Sequence, residues 1–293
     1  MIIVNSSNLS YLLQDAEKLV SELEGISVFK NIKKSKFYLW LKEVKNRKNQ
    51  DAKQLIPIFS KLYHYNRILE FVRDNIISIK EDTISHLISG PYNILDDSHQ
   101  SENYFFEIDM ASRFPDGCSK NLLSPTDIVI NDNLFIECKK LHSYKKFEKN
   151  IKDANNQISN LKRDIKAFIA LDFTDIFKSN EYLELLAPII SFFKKYHLEL
   201  NGANFIGNPN FRNVAITLLS SALEFKFNEL LIDFERKNPE FQFNRNVIGI
   251  FYQLYTFLEL DDESIILVRG ATYLPFDNSD ETKRFFHDLA SGF

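Results

Sequence analysis

An acidic residue followed two positions later by lysine recurs along this chain, as in Glu43-Val-Lys45, Asp51-Ala-Lys53, Glu137-Cys-Lys139, Glu224-Phe-Lys226 and Glu235-Arg-Lys237. Such a pair shares a face only where the backbone is extended, because side chains alternate across a strand. Of these, Glu137-Cys-Lys139 alone closes a β-type run. Across the turn-forming Asn131-Asp132-Asn133 it meets another short run, which opens on Asp127. A three-residue hairpin loop pairs Ile130 with Leu134, Val129 with Phe135 and Ile128 with Ile136, which sets Asp127 opposite Glu137. Their Cβ atoms then lie roughly 5 Å apart. Two carboxylates so placed repel, and a cation, a buried proton or an escape to solvent must relieve them. A divalent cation is the simplest relief: oxygen-only ligation suits Mg²⁺ or Mn²⁺, which keep several waters and take further ligands from substrate phosphate. With a lysine alongside, the set fits phosphodiester hydrolysis, which needs a hydroxide-like nucleophile and a positive environment for the charged transition state. The plainer alternatives are a strand-edge role for Asp127 and a solvent-facing ion pair of Glu137 with Lys139.

Hydrophobic periodicity supplies the elements that must hold these residues. Leu13, Ala16, Val20 and Leu23 recur at helical spacing, as do Leu55, Phe59, Leu62, Leu69, Val72 and Ile76, so an N-terminal helical region is expected over about residues 1–95. Within it Lys30 to Lys53 is strongly basic, with Phe37, Tyr38 and Trp40 interleaved. That run reads either as a solvated helix face with core aromatics or as a nucleic-acid-facing patch. Turn formers from Gly90-Pro91 to Asp97-Ser98 mark a boundary, and residues 96–293 form the second region. There Glu102 to Phe114 reads as a helix, and Phe147, Ile151, Ala154, Ile158, Leu161 and Ile165 as one stripe of a long helix. Tyr182 to Tyr196 is an apolar helix. Ala167 to Phe173, Val214 to Leu219, Val247 to Leu258 and Ile265 to Arg269 read as strands. Helix, strands, helix and strand in that order give an α/β or α+β class. Lys139 to Lys166 is net basic, a candidate phosphate-tracking surface or the solvated back of a helix.

Composition prunes the function classes. In 293 residues there are 27 Phe and 12 Tyr but only 8 Gly and 8 Pro, which argues for an aromatic-rich globular core. The net charge of −4 means that a polyanion would be held by a local basic surface, not by the overall field. Gly202-Ala-Asn-Phe-Ile-Gly207 has phosphate-loop spacing but runs on into Asn208-Pro209, and neither G-x-G-x-x-G nor G-x-S-x-G occurs. Nucleotide hydrolysis by a P-loop, Rossmann redox chemistry and α/β-hydrolase chemistry thereby lose their basis. Cys118 and Cys138 make neither a disulfide framework nor a zinc site, and the histidines lie singly. No membrane segment is expected, and the protein reads as cytoplasmic.

Ser124-Pro125-Thr126-Asp127 followed by Phe135-Ile136-Glu137-Cys138-Lys139-Lys140 resembles the bipartite motif of the PD-(D/E)XK nuclease superfamily. The first half reads Pro-Thr-Asp where the family pattern is Pro-Asp. The resemblance covers about residues 100 to 175. It implies a restriction-endonuclease-like fold, a mixed sheet flanked by helices, and metal-dependent cleavage of DNA. Carried over residue by residue, Asp127 and Glu137 would be ligands to Mg²⁺ or Mn²⁺, and Lys139 would orient the attacking water and stabilise developing charge. Glu107, in the upstream helix, would be an additional ligand, and Gln157, in the downstream helix, an active-site support. A restriction or phage-defence role, DNA as partner, and a homodimer or a multi-component partner protein are what that resemblance suggests. The alternative is a catalytically inactive nuclease-fold protein that docks DNA or a protein.

Overall fold

In the computed structural model the described residues are 2–4, 6–47, 52–89, 101–114, 118–122, 127–161, 165–178, 209–259 and 265–291, with a few positions between 185 and 195. The chain divides into two compact units: Ile2–Ser112 with Glu259–Ile266, and Arg113–Leu258 with Leu267–Phe293. The first therefore runs past the boundary at 95 read from the sequence, and takes in the helix that carries Glu107.

The first unit is helical: a short strand β1 (Ile2–Val4), then α1 (Ser6–Glu24), α2 (Lys36–Arg47), α3 (Ala52–Asp74), α4 (Glu81–Ile88) and α5 (Ser101–Ala111). Ala16, Val20 and Leu23 of α1, Trp40 and Val44 of α2, and Leu62, Leu69 and Val72 of α3 are buried, as their helical spacing requires. Phe37 and Trp40, the aromatics inside the basic run, belong to this core. So does one of its cations: Lys36 is buried against Glu102 at 3.1 Å and sits 4.7 Å from the Tyr65 ring centre, while Tyr65 donates its hydroxyl to Glu102 at 3.3 Å.

The second unit holds a six-stranded mixed sheet flanked by helices, in the order β7-β6-β5-β4-β3-β2. Its strands are β2 (Lys120–Asn121), β3 (Ile128–Ile130), β4 (Leu134–Lys140), β5 (Lys166–Asp172), β6 (Val247–Glu259) and β7 (Ile265–Pro275). β2, β3 and β4 are antiparallel neighbours, whereas β4, β5 and β6 run parallel. The parallel strands are buried on both faces and read as continuous apolar runs, Ala167 to Leu171 above all. One sheet face is covered by α6 (Phe147–Ser159) and α7 (Pro209–Lys237): Phe227 stacks on Tyr252 at 4.0 Å, and Phe147 meets Phe227 at 5.9 Å. On the other face Phe286 of α8 (Asp280–Ser291) packs edge-on to Phe168 at 5.5 Å.

Two sequence expectations are corrected. Val214 to Leu219 is not a strand but lies within α7. Its β-branched residues are overruled by a longer pattern, because Leu219, Leu223, Phe227, Leu231 and Phe234 recur at helical spacing and are all buried. The helix after the hairpin stops at Ser159, short of Leu161 and Ile165. Ser159 donates its hydroxyl back to the Asn155 carbonyl at 2.7 Å, and a tight turn from Leu161 N–H to Ile158 O follows at 3.1 Å. Ser124 to Thr126, the turn stretch 90–98, the loop Gly202 to Gly207 and most of Tyr182 to Tyr196 lie outside the described residues. No helix among the described residues is long and apolar enough to cross a membrane.

Candidate active site

The site is built by one hairpin. Asn131 and Asp132 adopt left-handed backbone angles, with φ 49° and 59°, a conformation that asparagine and aspartate tolerate better than other side chains. Asn131 Oδ1 also accepts the Ser119 N–H at 2.9 Å, which ties the turn to the strand beside it. The resulting register pairs Ile130 with Leu134, Val129 with Phe135 and Ile128 with Ile136. Asp127 immediately precedes β3, and the same register continued one step sets it across from Glu137. Asp127 Oδ2 accepts the backbone N–H of Cys138 at 2.7 Å, which fixes the carboxylate at the strand end.

Glu137 is wholly buried. Its Oε1 accepts a hydrogen bond from Lys139 Nζ at 2.6 Å, and its Oε2 accepts none among the described residues. Burial pushes its carboxyl up, the Asp127 charge pushes further, and the Lys139 ammonium only partly opposes them, leaving it at about 7. Near neutral pH Glu137 therefore still holds a proton part of the time, as expected when like charges meet in a low-dielectric site. Burial works against the Lys139 ammonium, but Glu137 and then Asp127 outweigh it, and the lysine stays above its ordinary value. With a fifth of its side chain exposed, 21%, Lys139 opens the cluster to solvent.

A divalent cation fits this donor set. An orphaned buried carboxylate oxygen, a second carboxylate across the hairpin and a repulsion that raises one pKa are what a bound cation would relieve together. No group of three or more His, Cys, Asp and Glu residues among the described residues is placed to hold a metal ion, so the protein would contribute Asp127 and Glu137 and leave the other positions to water and substrate. Of the further candidates, Gln157 is half-buried beside the apolar stripe of α6, and Glu107 is half-buried on α5 of the helical unit.

Sequence reasoning missed a second polar cluster, at the carboxyl ends of β4 and β5 and on the opposite face. Lys140, Asp172 and Gln253 lie side by side across β4, β5 and β6. Thr174 donates both its N–H and its hydroxyl to Asp172 Oδ1. Burial pushes the Asp172 carboxyl up, with Lys140 acting against it. Asp175 is held by Lys140 at 3.4 Å and in turn holds His142 Nδ1 at 2.6 Å, so this histidine is not solitary. The Gln253 amide is fully buried and makes no hydrogen bond among the described residues. In sequence Lys140, Asp172 and Gln253 stand 32 and 81 residues apart, and only the parallel pairing joins them. Compared with models of protein families, with curated proteins and with solved structures, the chain matches none.

Proposed function

We propose that this protein is a metal-dependent nuclease that hydrolyses DNA phosphodiesters on a restriction-endonuclease-like core. The observation that carries the reading is the opposition of Asp127 and Glu137 on one hairpin, with Lys139 bonded to Glu137 at 2.6 Å. Mg²⁺ or Mn²⁺ held by these two carboxylates would supply a water acidified towards neutral pH and a positive charge against the phosphate. Asp127, anchored by the Cys138 N–H, fixes one ligand direction. Glu137 offers Oε2, the oxygen without a hydrogen bond among the described residues. Lys139, released from Glu137 once the carboxylate has another cation to face, positions the attacking water and stabilises charge on the non-bridging oxygens. Glu107 as a further ligand, Gln157 as a support, a homodimer or partner protein, and a restriction or phage-defence setting in the cytoplasm extend the same reading.

The closed ion pair of Lys139 with Glu137, with no third acidic or histidine ligand beside it among the described residues, favours one second reading. It is a catalytically silent nuclease fold that docks DNA or a protein. Incubating the protein with linear, circular and single-stranded DNA in Mg²⁺, Mn²⁺ or EDTA, beside Lys139→Ala, separates the two. Metal-dependent cutting that the variant loses supports the nuclease. Absence of cutting, together with absence of metal-induced stabilisation, supports the silent fold.

A further inference from the structure

The stretch from Lys139 to Lys166 is basic in sequence, and the fold sorts its cations by what holds them. Lys139 is taken up by Glu137 at 2.6 Å and Lys140 by Asp175 at 3.4 Å. Lys152 lies between Glu148 at 2.7 Å and Asn238 at 2.6 Å, and Lys166 stands 3.8 Å from Glu281. Among the described residues Lys145, Lys146 and Lys149 remain. All three are exposed, and none forms an ion pair among the described residues. They occupy the tight turn Tyr144–Lys146 and the start of α6, where Lys146 and Lys149, three residues apart, face the same way.

The other basic stretch, in the helical unit, has a different fate. Lys33 is bound to Glu24 at 2.6 Å, Lys45 to Glu17, and Lys36 is buried against Glu102. Lys42 lies 4.8 Å from the Tyr38 ring centre. Lys30 and Lys34 stand exposed there without an ion pair among the described residues, but in the unit that does not carry the Asp127–Glu137 hairpin. At Lys145, Lys146 and Lys149 no acidic side chain among the described residues answers the charge, and phosphates that displace counterions from such cations gain the entropy of their release. Lys145 is six residues beyond Lys139, at most about 20 Å along an extended backbone. A DNA strand advancing 3.4 Å per nucleotide would reach from one to the other in about six nucleotides or fewer.

We infer that the segment Tyr144–Lys149 tracks a DNA backbone through Lys145, Lys146 and Lys149, without reading sequence. The choice of DNA rests on the nuclease reading above, while the surface itself does not. The test is fluorescence anisotropy of the full chain with labelled 12-nucleotide single strands and 12-base-pair duplexes, in EDTA so that nothing is cut, between 50 and 200 mM KCl. Three phosphate contacts give a slope of log affinity against log salt near about −2 for the single strand and about −3 for the duplex. The triple reversal Lys145→Glu, Lys146→Glu, Lys149→Glu, with the milder triple Lys→Gln beside it, should flatten that slope and weaken binding at least thirtyfold at 50 mM salt. Reversal of Lys30, Lys34 and Lys42 should leave the slope standing. An unchanged slope in the first triple, its loss in the second, or no salt-dependent binding by the wild type overturns the inference. Binding of the expected kind with no cutting in Mg²⁺ or Mn²⁺ supports the surface and removes the nuclease reading. Cutting with an unaltered KM in the first triple does the reverse.

Discussion

Replacing Glu137 by glutamine should stabilise the sheet unit at alkaline pH relative to acid pH, and by an amount that follows from the site. The Glu137 carboxyl stands at about 7 against an ordinary 4.5. A carboxyl raised in the folded state contributes stability that is complete below the unfolded pKa and is lost as pH rises through the folded one. Between pH 5 and 8 that loss integrates to about 2.5 kcal/mol. The glutamine variant cannot ionise and should not show it. Its amide oxygen can still accept from Lys139 Nζ, but the 2.6 Å bond loses the charge assistance of a carboxylate, which offsets the curve, so the diagnostic is the slope of the difference between wild type and variant. Hydrogen exchange of the β4 and β5 amides, corrected for intrinsic rates, is the suitable probe. The single tryptophan, Trp40, lies in the helical unit and would report on the wrong part of the chain. Mg²⁺ should restore the wild type at pH 8, by about 2.7 kcal/mol at a hundredfold excess over its dissociation constant. It should do much less at pH 5, where the proton competes, and nothing for Asp127→Ala. A difference curve flat to within about 0.5 kcal/mol from pH 5 to 8 would refute the opposed-carboxylate argument, since one pKa unit alone is worth about 1.4 kcal/mol.

Three further substitutions probe the surrounding structure. A Cβ on Gly249 would come within 2.6 Å of the Leu274 carbonyl oxygen and 2.8 Å of the Phe286 ring, so Gly249→Ala should cost about 1–3 kcal/mol, read as a lower melting temperature of the sheet unit. Glu102→Ala strands Lys36, whose side chain is 3% exposed. It should cost about 3–5 kcal/mol and alter Trp40 emission, because the ammonium lies 5.7 Å from that ring. Gln253→Leu removes a buried amide that makes no hydrogen bond among the described residues. Urea unfolding should find it neutral or up to about 2 kcal/mol more stable, and an equally large loss would show that the amide is held by a bound partner.

The hairpin was legible in the sequence because every signal in it is local. Asn131, Asp132 and Asn133 dictate the turn, the turn dictates the register, and the register alone sets Asp127 against Glu137. Lys139 follows from strand alternation two residues on. Where the sequence misled, a short-range preference competed with a longer one. Val214 to Leu219 has strand-forming residues, but five buried positions from Leu219 to Phe234 commit the whole segment to a helix. The same limit hid the cluster of Lys140, Asp172, Asp175 and Gln253, since nothing local in β4 announces that β5 and β6 will lie parallel beside it.

Parallel pairing gives the site its setting. β4, β5 and β6 run in one direction, so Lys139, Lys140 and Asp172 reach the carboxyl ends of β4 and β5, level with Gln253 within β6, and the carboxyl ends of strands are where open α/β sheets bind ligands. Antiparallel β3 returns Asp127 towards that end of β4 from the other side. Alternation then divides the acids and lysines between two faces. Glu137 and Lys139 fall on the face under α6 and α7 with one carboxylate oxygen lacking a hydrogen bond among the described residues, whereas Lys140 falls on the other, where Asp175 answers it at 3.4 Å. Two adjacent lysines in one strand thus receive different partners, Lys139 the carboxylate of Glu137 on one face and Lys140 that of Asp175 on the other. A one-residue slip of β4 would exchange them and place Cys138 opposite Asp127, so the left-handed turn at Asn131 and Asp132 is as much a determinant of the chemistry as the carboxylates themselves.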